Sequence, residues 1–322
     1  MAAALSATGC TQLVLKTSQS STKAPPLRIL VTIAVHGNEP CGVDAANELL
    51  AAGLLQPPPN AELTLLVGNP LALARDTRFV DVNLNRVVKR GATAAGSAEH
   101  ECSLALMAAC DRADAWLDIH STSAASPAYA LPAEDAVSGA LAAELPVGYV
   151  LHEIVHSTPS KGTTGDYALT AKVPFVCVEC GQHAALSSVA NARAVILAFV
   201  DACARRAALW RGGKRQRLAV APAAGADTRR GGGARVRRRP TQMRSASAEY
   251  VREGFRWEGG KRPKAFAWAD GGAILARDGA SRAVRAPAGG CYVVMPTAMP
   301  FVGEEAYFYG FPLEGGGAKR KR

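Results

Sequence analysis

The stretch Leu27-Arg-Ile-Leu-Val-Thr-Ile-Ala-Val35-His36-Gly37-Asn38-Glu39 decides the fold. Its first nine residues are apolar or β-branched at nearly every position, with neither the period of a one-sided helix nor strict alternation, so they read as a strand buried on both faces. A His and a Glu three residues apart come next at its carboxyl end, where α/β proteins place their sites.

Outward from that strand the pattern alternates. Val43 to Leu55 reads as a helix that stops near Gly53 and the Pro57-Pro58-Pro59 breaker, and Leu63 to Val67 as the next strand. A helix is expected from about Ser97 to Cys110, leading into the strand Ala115 to Ile119. Ala133 to Glu144 reads as a helix, Gly148 to Val155 and Pro174 to Val178 as strands, and Ser188 to Trp210 as a long Ala-rich helix. This is an α/β pattern.

The 322 residues are 48% hydrophobic and 20% charged, which excludes collagen-like, coiled-coil and disordered classes. No uninterrupted apolar run approaches the roughly 18 residues of a membrane span, so a water-soluble protein with no membrane partner is expected. The net charge of +10 is concentrated: thirteen Lys or Arg against Asp227 alone lie between Arg205 and Arg244, and Lys319 to Arg322 adds four. The alkaline balance therefore belongs to a Gly/Arg-rich segment and a tail, and nucleic acid is not implied as a partner. Between Arg211 and Arg244 there are no interleaved aromatic residues on which bases would stack.

Eight cysteines lie scattered in a chain long enough to fold without staples, which points to a reduced, cytoplasmic setting. Cys177 and Cys180 form a CxxC inside an apolar strand with no second CxxC to complete a metal site, and read as structural. Residues 1–26 read as a flexible leader, rich in Ala, Ser and Thr and poor in Arg, a weak pointer to organelle targeting. The expected organisation is a catalytic domain over 27–210, an Arg/Gly-rich linker or insertion over 211–246, a smaller all-β domain over 247–314 marked by Gly-Gly and Asp-Gly turns, and a basic tail over 315–322.

His36, Glu39 and His120, the last ending the strand Ala115-Trp-Leu-Asp-Ile-His, make a set of two imidazoles and one carboxylate. Such a set binds one zinc ion and leaves one position open for a water of lowered pKa, the requirement of an amide or ester hydrolase. Glu179, delivered by the strand Phe175 to Val178, suits the general base. Arg78, Asn85 and Arg86 lie in a donor-dense segment. Arg78 suits a substrate carbonyl, and Asn85 with Arg86 suits a carboxylate.

The motifs His36-Gly-Asn-Glu39-Pro-Cys-Gly, Asn69-Pro through Arg78 to Asn85-Arg86, Asp118-Ile-His120-Ser-Thr and Glu179-Cys-Gly-Gln resemble, in order and spacing, the succinylglutamate desuccinylase and aspartoacylase family, a branch of the zinc carboxypeptidase fold. The resemblance covers about residues 27 to 205, and stretches at Tyr292 and Gly303 look similar to the family's C-terminal β region. It implies a mixed sheet flanked by helices, one zinc ion per chain, and hydrolysis of an N-acyl amino acid into a carboxylate and a free amino acid. It also implies His36, Glu39 and His120 as zinc ligands, Glu179 and Arg78 as catalytic residues, and Asn85 and Arg86 as substrate contacts.

Two departures stand out. Asn83 takes the place of a family Asp that orders neighbouring arginines, which implies reduced activity, and the loop Lys161-Gly-Thr-Thr-Gly-Asp166-Tyr167 lacks the Arg that aspartoacylase uses on its acidic substrate. Tyr167 is expected to line the pocket, with Lys161 or Asp166 setting its charge preference.

Competing readings are a zinc carboxypeptidase acting on short peptides and a catalytically weakened binding protein tethered through the Arg-rich segment. His152-Glu153-Ile-Val-His156 spells HExxH, but in a β-branched segment between Pro146 and Pro159 the two imidazoles would stand about 13 Å apart, too far to share an ion. His100 reads as structural and His183 as facing the pocket. Assembly into a homo-oligomer stays open.

Overall fold

The computed structural model of the chain describes residues 4–9, 11–17, 25–91, 94–154, 162–207, 239–279, 282–298, 302–303 and 305–313. In chain order the elements are β1 (Gln12–Lys16), β2 (Leu27–Ile33), α1 (Cys41–Ala51), β3 (Ala61–Val67), α2 (Pro70–Ala74), α3 (His100–Arg112), β4 (Ala115–Thr122), β5 (Tyr129–Pro132), α4 (Ala136–Ala142), β6 (Tyr149–His152), α5 (Thr164–Ala171), β7 (Phe175–Gln182) and α6 (Leu186–Ala207). Strands then dominate: β8 (Thr241–Tyr250), β9 (Arg256–Trp257), β10 (Ala267–Ala269), β11 (Ile274–Asp278), β12 (Arg282–Arg285), β13 (Cys291–Val294) and β14 (Glu305–Pro312).

An eleven-stranded mixed sheet runs β1-β3-β2-β4-β7-β5-β6-β8-β14-β13-β10. Strands β3, β2, β4 and β7 are parallel neighbours, while β1 and β5 pair antiparallel with β3 and β7. A parallel sheet needs both faces covered, and β2 and β4 are accordingly buried along almost their whole length, with polar groups gathered toward the carboxyl end of β4. Ile29, Val31 and Ile33 face one side with α1 and α6, packing among Leu49, Val195 and Phe199. Leu30, Trp116 and Phe175 face the other with Leu106 of α3 and Ala168 of α5. Burying a side chain of this size contributes about 1.5–3 kcal/mol, so the sheet core dominates the stability.

Three expectations need correction. The leader is not loose throughout: Gln12–Lys16 pairs antiparallel with β3, and Leu5 is buried with its backbone held by Asn47. The alternation in Gln-Leu-Val-Leu-Lys, with one face exposed, was the signal for this edge strand. The segment read as linker ends early, because Thr241 already begins β8, which pairs parallel with β6 from Tyr149↔Thr241 to His152↔Arg244. The C-terminal strands therefore continue the main sheet, and a separate three-stranded sheet β12-β11-β9 lies beside them. Residues 211–238 lie outside the described residues. By length and composition α6 could cross a membrane, but its Ala192, Val195, Ile196, Phe199 and Cys203 are packed into the core.

The short elements β5, α2 and α5 escaped the sequence pattern. The largest of them, α5, is fixed locally by a capping box: Thr163 accepts from the Asp166 backbone N–H, and Asp166 Oδ2 accepts from Gly162 and Thr163 at 2.8 and 3.0 Å.

Candidate active site

The strands β2, β4 and β7 lie side by side and parallel, so the residues at their carboxyl ends must meet. His36 and Glu39 lie just past β2, His120 lies near the end of β4, and Glu179 lies across from His120 in register on β7. Gly37 makes the first turn feasible. A Cβ there would lie 2.1 Å from the backbone carbon of Ala72, so only glycine lets the chain pass α2 this closely.

Glu39 is the hub. Its Oε1 faces His36 Nδ1 at 2.9 Å and accepts from Arg78 Nη1 at 3.2 Å, while its Oε2 faces His120 Nδ1 at 2.9 Å and accepts from the Ser121 backbone at 3.0 Å. His36, Glu39 and His120 are all buried, and one donor atom from each lies within 4.8 Å of the others, a group among the described residues that could hold a metal ion. Burial pushes His36 down to about 4, so its imidazole is neutral and free to ligate. Burial alone would raise the Glu39 carboxyl, but His36 and His120 hold it well below the usual carboxylate range. Burial would lower His120, yet the carboxylates of Asp118 and Glu39 raise it well above an ordinary imidazole.

Asp118 was not singled out by sequence, although residues i and i+2 of a strand share a face and the pair Asp118-Ile-His120 carried that signal. It is fully buried. Its Oδ2 faces His120 Nε2 at 3.0 Å and accepts from Thr164 Oγ1 at 2.7 Å, and its Oδ1 accepts from Thr32 Oγ1 at 2.6 Å. Trp116 Nε1 donates to Thr32 Oγ1 at 2.8 Å and closes the network. A carboxylate on the far nitrogen fixes the tautomer and aims the near one, as ligating histidines require.

Glu179 is 8% exposed, and its Oε2 has no hydrogen-bond partner. Burial first, and the Glu39 charge second, push it up to about 8. A buried carboxylate with a raised pKa that faces a cavity beside a His-Glu-His cluster is a candidate functional group.

The segment from Arg78 to Arg86 forms the opposite wall. Asn83 Oδ1 faces His36 Nε2 at 3.1 Å and caps a 3₁₀ turn over Leu84–Arg86 through Asn85 N at 3.0 Å. The position expected to order arginines thus faces His36. Asn85 Oδ1 accepts from Thr164 N at 2.9 Å, and Arg86 Nη1 donates to the Asn85 carbonyl at 2.8 Å. This loop is held from behind by Glu99, a residue with no sequence signal. Fully buried, it accepts from the backbone of Val80 at 2.7 Å, of Asp81 and Val82 at 3.2 Å each, and from Asn69 Nδ2 at 3.1 Å. Burial alone would raise its carboxyl, and these donors lower it instead.

One cavity of about 460 Å³ collects His36, Glu39, His120, Glu179, Arg78, Asn85 and Arg86. Its remaining wall is largely apolar, with Leu131, Ile154, Phe175, Met295 and Phe308. His183 lines it as expected, its Nδ1 2.8 Å from Ser121 Oγ.

Tyr167 does not line it. At 4% exposure it sits in the core beside α3, donates to Asp111 Oδ1 at 2.8 Å and lies under Arg90, because its place in the first turn of α5 points it toward α3. Asp166 is committed to the helix cap, and Lys161 lies outside the described residues. His152 is on strand β6 with Nε2 facing Gln242 Oε1 at 2.8 Å, away from the cavity, and its HExxH partner His156 lies outside the described residues. Cys180 is buried, and its Sγ donates to the Val178 carbonyl at 3.8 Å.

Comparison with known proteins identifies the family and the fold. The chain is 36% identical over 67 residues to a succinylglutamate desuccinylase of Shewanella denitrificans, covering 20% of this chain and 19% of that one. It is 34% identical over 119 residues to an N-acyl-aromatic-L-amino acid amidohydrolase of Rattus norvegicus, covering 33% of this chain and 37% of that one. The matches thus span well under half the length of these relatives. The fold matches the crystal structure of a succinylglutamate desuccinylase from Vibrio parahaemolyticus with a TM-score of 0.67 at 14% identity, over 95% of this chain and 87% of that one. Residues 25–205 match the succinylglutamate desuccinylase/aspartoacylase catalytic domain, and the chain belongs to that family.

Proposed function

We propose that this protein is a zinc-dependent deacylase that hydrolyses the amide bond of an N-acyl amino acid to a carboxylate and a free amino acid. The observation that carries the reading is the convergence of His36, Glu39 and His120 with an unpartnered, buried Glu179 in one cavity.

The donor set fits a zinc ion. Both histidines turn Nδ1 toward the Glu39 carboxylate, and their Nε2 atoms are held by Asn83 and Asp118. When bound there by His36, Glu39 and His120, zinc supplies Lewis acidity, which lowers the pKa of water and polarises a carbonyl.

The chain's own residues supply the rest. Glu179, whose raised pKa suits proton exchange near neutrality, takes a proton from the attacking water and returns it to the amide nitrogen as the C–N bond breaks. Arg78, 41% exposed and anchored to Glu39 through one nitrogen, presents its other donors to the oxygen that gains charge. Asn85 and Arg86 orient the substrate carboxylate. The apolar wall of Leu131, Phe175, Met295 and Phe308 accepts an apolar side chain or acyl group, in keeping with the name of the rat relative. Asn83 still offers His36 an acceptor, so the missing family carboxylate does not abolish the site.

We place the enzyme in a reducing, cytoplasmic setting, in keeping with the free thiols of Cys41, Cys102, Cys110, Cys177, Cys180, Cys203 and Cys291. The test is release of amino acid from a panel of N-acetyl, N-succinyl and longer N-acyl amino acids by zinc-loaded protein. Glu179→Gln is expected to lower kcat by about 10²- to 10⁴-fold while zinc stays bound, and a chelator should stop turnover. Turnover that survives both interventions overturns the reading, and cleavage confined to short peptides would replace it with a carboxypeptidase.

A further inference from the structure

The charges around the cavity are unevenly matched. Among the described residues, the Lys and Arg side chains that line it are Arg78 and Arg86. Arg78 is tied to Glu39, the hub of the ligand cluster. Arg86 is tied on both sides: Nη1 donates to the Asn85 carbonyl at 2.8 Å, and Nη2 lies 3.5 Å from Glu305 Oε2. Glu305 comes from the other end of the molecule, at the first residue of β14, and is 17% exposed against 32% for Arg86. It lines the same cavity.

A guanidinium has five donors, so Arg86 can hold Glu305 and one substrate carboxylate together. A second carboxylate, on the acyl group or on the amino-acid side chain, meets a different environment. No third arginine or lysine among the described lining residues is there to receive it, the rest of the wall offers neutral groups such as the Ser121 and Ser123 hydroxyls among apolar side chains, and Glu305 adds a fixed negative charge nearby. A carboxylate without a counter-ion in such a place bears both desolvation and like-charge repulsion.

We propose that Glu305 is a specificity-determining residue, which restricts the site to substrates carrying a single carboxylate by occupying Arg86 and repelling a second one. The inference rests on the deacylase reading for its substrate but not for its test, because preference between carboxylates is also a binding property.

Two measurements decide it on the full-length, zinc-loaded protein. The first compares kcat/KM for N-acetylphenylalanine with that for N-succinylphenylalanine and N-acetylaspartate. The wild type should favour the monocarboxylate, and Glu305→Gln should narrow the preference about tenfold, chiefly through a lower KM for the dicarboxylates. Glu305→Asp, which keeps the charge, should retain the preference. The second measures binding of butyrate and succinate by calorimetry, where Glu305→Gln should tighten succinate relative to butyrate by about the same factor. If the folded Gln variant shows the wild-type preference in both measurements, the inference is overturned. If no N-acyl amino acid turns over, the deacylase reading fails, and the calorimetry still decides the role of Glu305.

Discussion

The cavity is built from two halves held in different ways. His36, Glu39, His120 and Glu179 sit on or just past the ends of parallel strands, and backbone register brings those strand ends together. Arg78, Asn83, Asn85 and Arg86 sit on a segment whose only regular piece is a 3₁₀ turn, and it is held by side chains: Glu99 beneath three backbone N–H groups, and Asn85 on the amino end of α5. The strand-borne half gains its precision from the sheet, whereas the loop-borne half needs dedicated buried polar groups. Each half should therefore fail in its own way when disturbed.

Asp118→Asn tests the strand-borne half and carries the largest effect. Neutralising the carboxylate behind His120 is expected to weaken zinc binding by about 10- to 100-fold, with turnover of every substrate falling in parallel at limiting metal. A competition titration against a chelator reads this directly. An affinity equal to that of the wild type would show that strand register alone aims His120, and would remove Asp118 from the account.

The same division governs how legible each half was in the sequence. A buried strand running into His-Gly-Asn-Glu, and another ending in Asp-Ile-His, announce themselves because strand ends are where α/β sheets gather ligands, so the site could be assembled from spacing alone. Arg78, Asn85 and Arg86 were visible as residue types. What organises them was not: Glu99 opens a helix thirteen residues beyond Arg86, with no periodicity that ties it to the loop it holds. Tyr167 was misplaced for a related reason, since its neighbours in sequence face the cavity but its position in the first turn of α5 turns it to the core. Glu305 was out of reach, because the strand pairing of β8 and β14 that brings it to Arg86 is a matter of tertiary topology.

Glu99→Gln tests the loop-borne half. A glutamine offers one acceptor oxygen where the carboxylate offers two, so buried backbone N–H groups lose their partner, at a cost of about 1–3 kcal/mol in stability. Activity should fall by about tenfold as Arg78 and Arg86 lose their placement, while zinc affinity stays within about twofold of the wild type. The sign of the pH effect is fixed by the lowered carboxyl. The stabilisation from Glu99 is present above the ordinary carboxyl value of 4.5 and is lost as pH falls through the lower folded-state value. Wild type and variant should therefore converge in melting temperature at strongly acidic pH. A loss of zinc binding in this variant would break the division, by showing that the loop carries the ligand cluster as well.

Asn83→Asp examines one of the two points where the halves touch, the other being the contact of Arg78 with Glu39, and its effect should be the smallest. Asn83 Oδ1 serves two groups, accepting from the Asn85 backbone at 3.0 Å and facing His36 Nε2 at 3.1 Å. A carboxylate in its place keeps both contacts and strengthens the second, because a charged acceptor raises the basicity of the ligating imidazole. Zinc binding should tighten by about two- to fivefold, with kcat/KM rising by a similar factor. Weaker binding instead would mean that the added charge, next to the buried carboxylate of Glu39, costs more than the stronger hydrogen bond returns. In that case the neutral amide at this position is what lets two closely packed halves share one histidine without a surplus of negative charge.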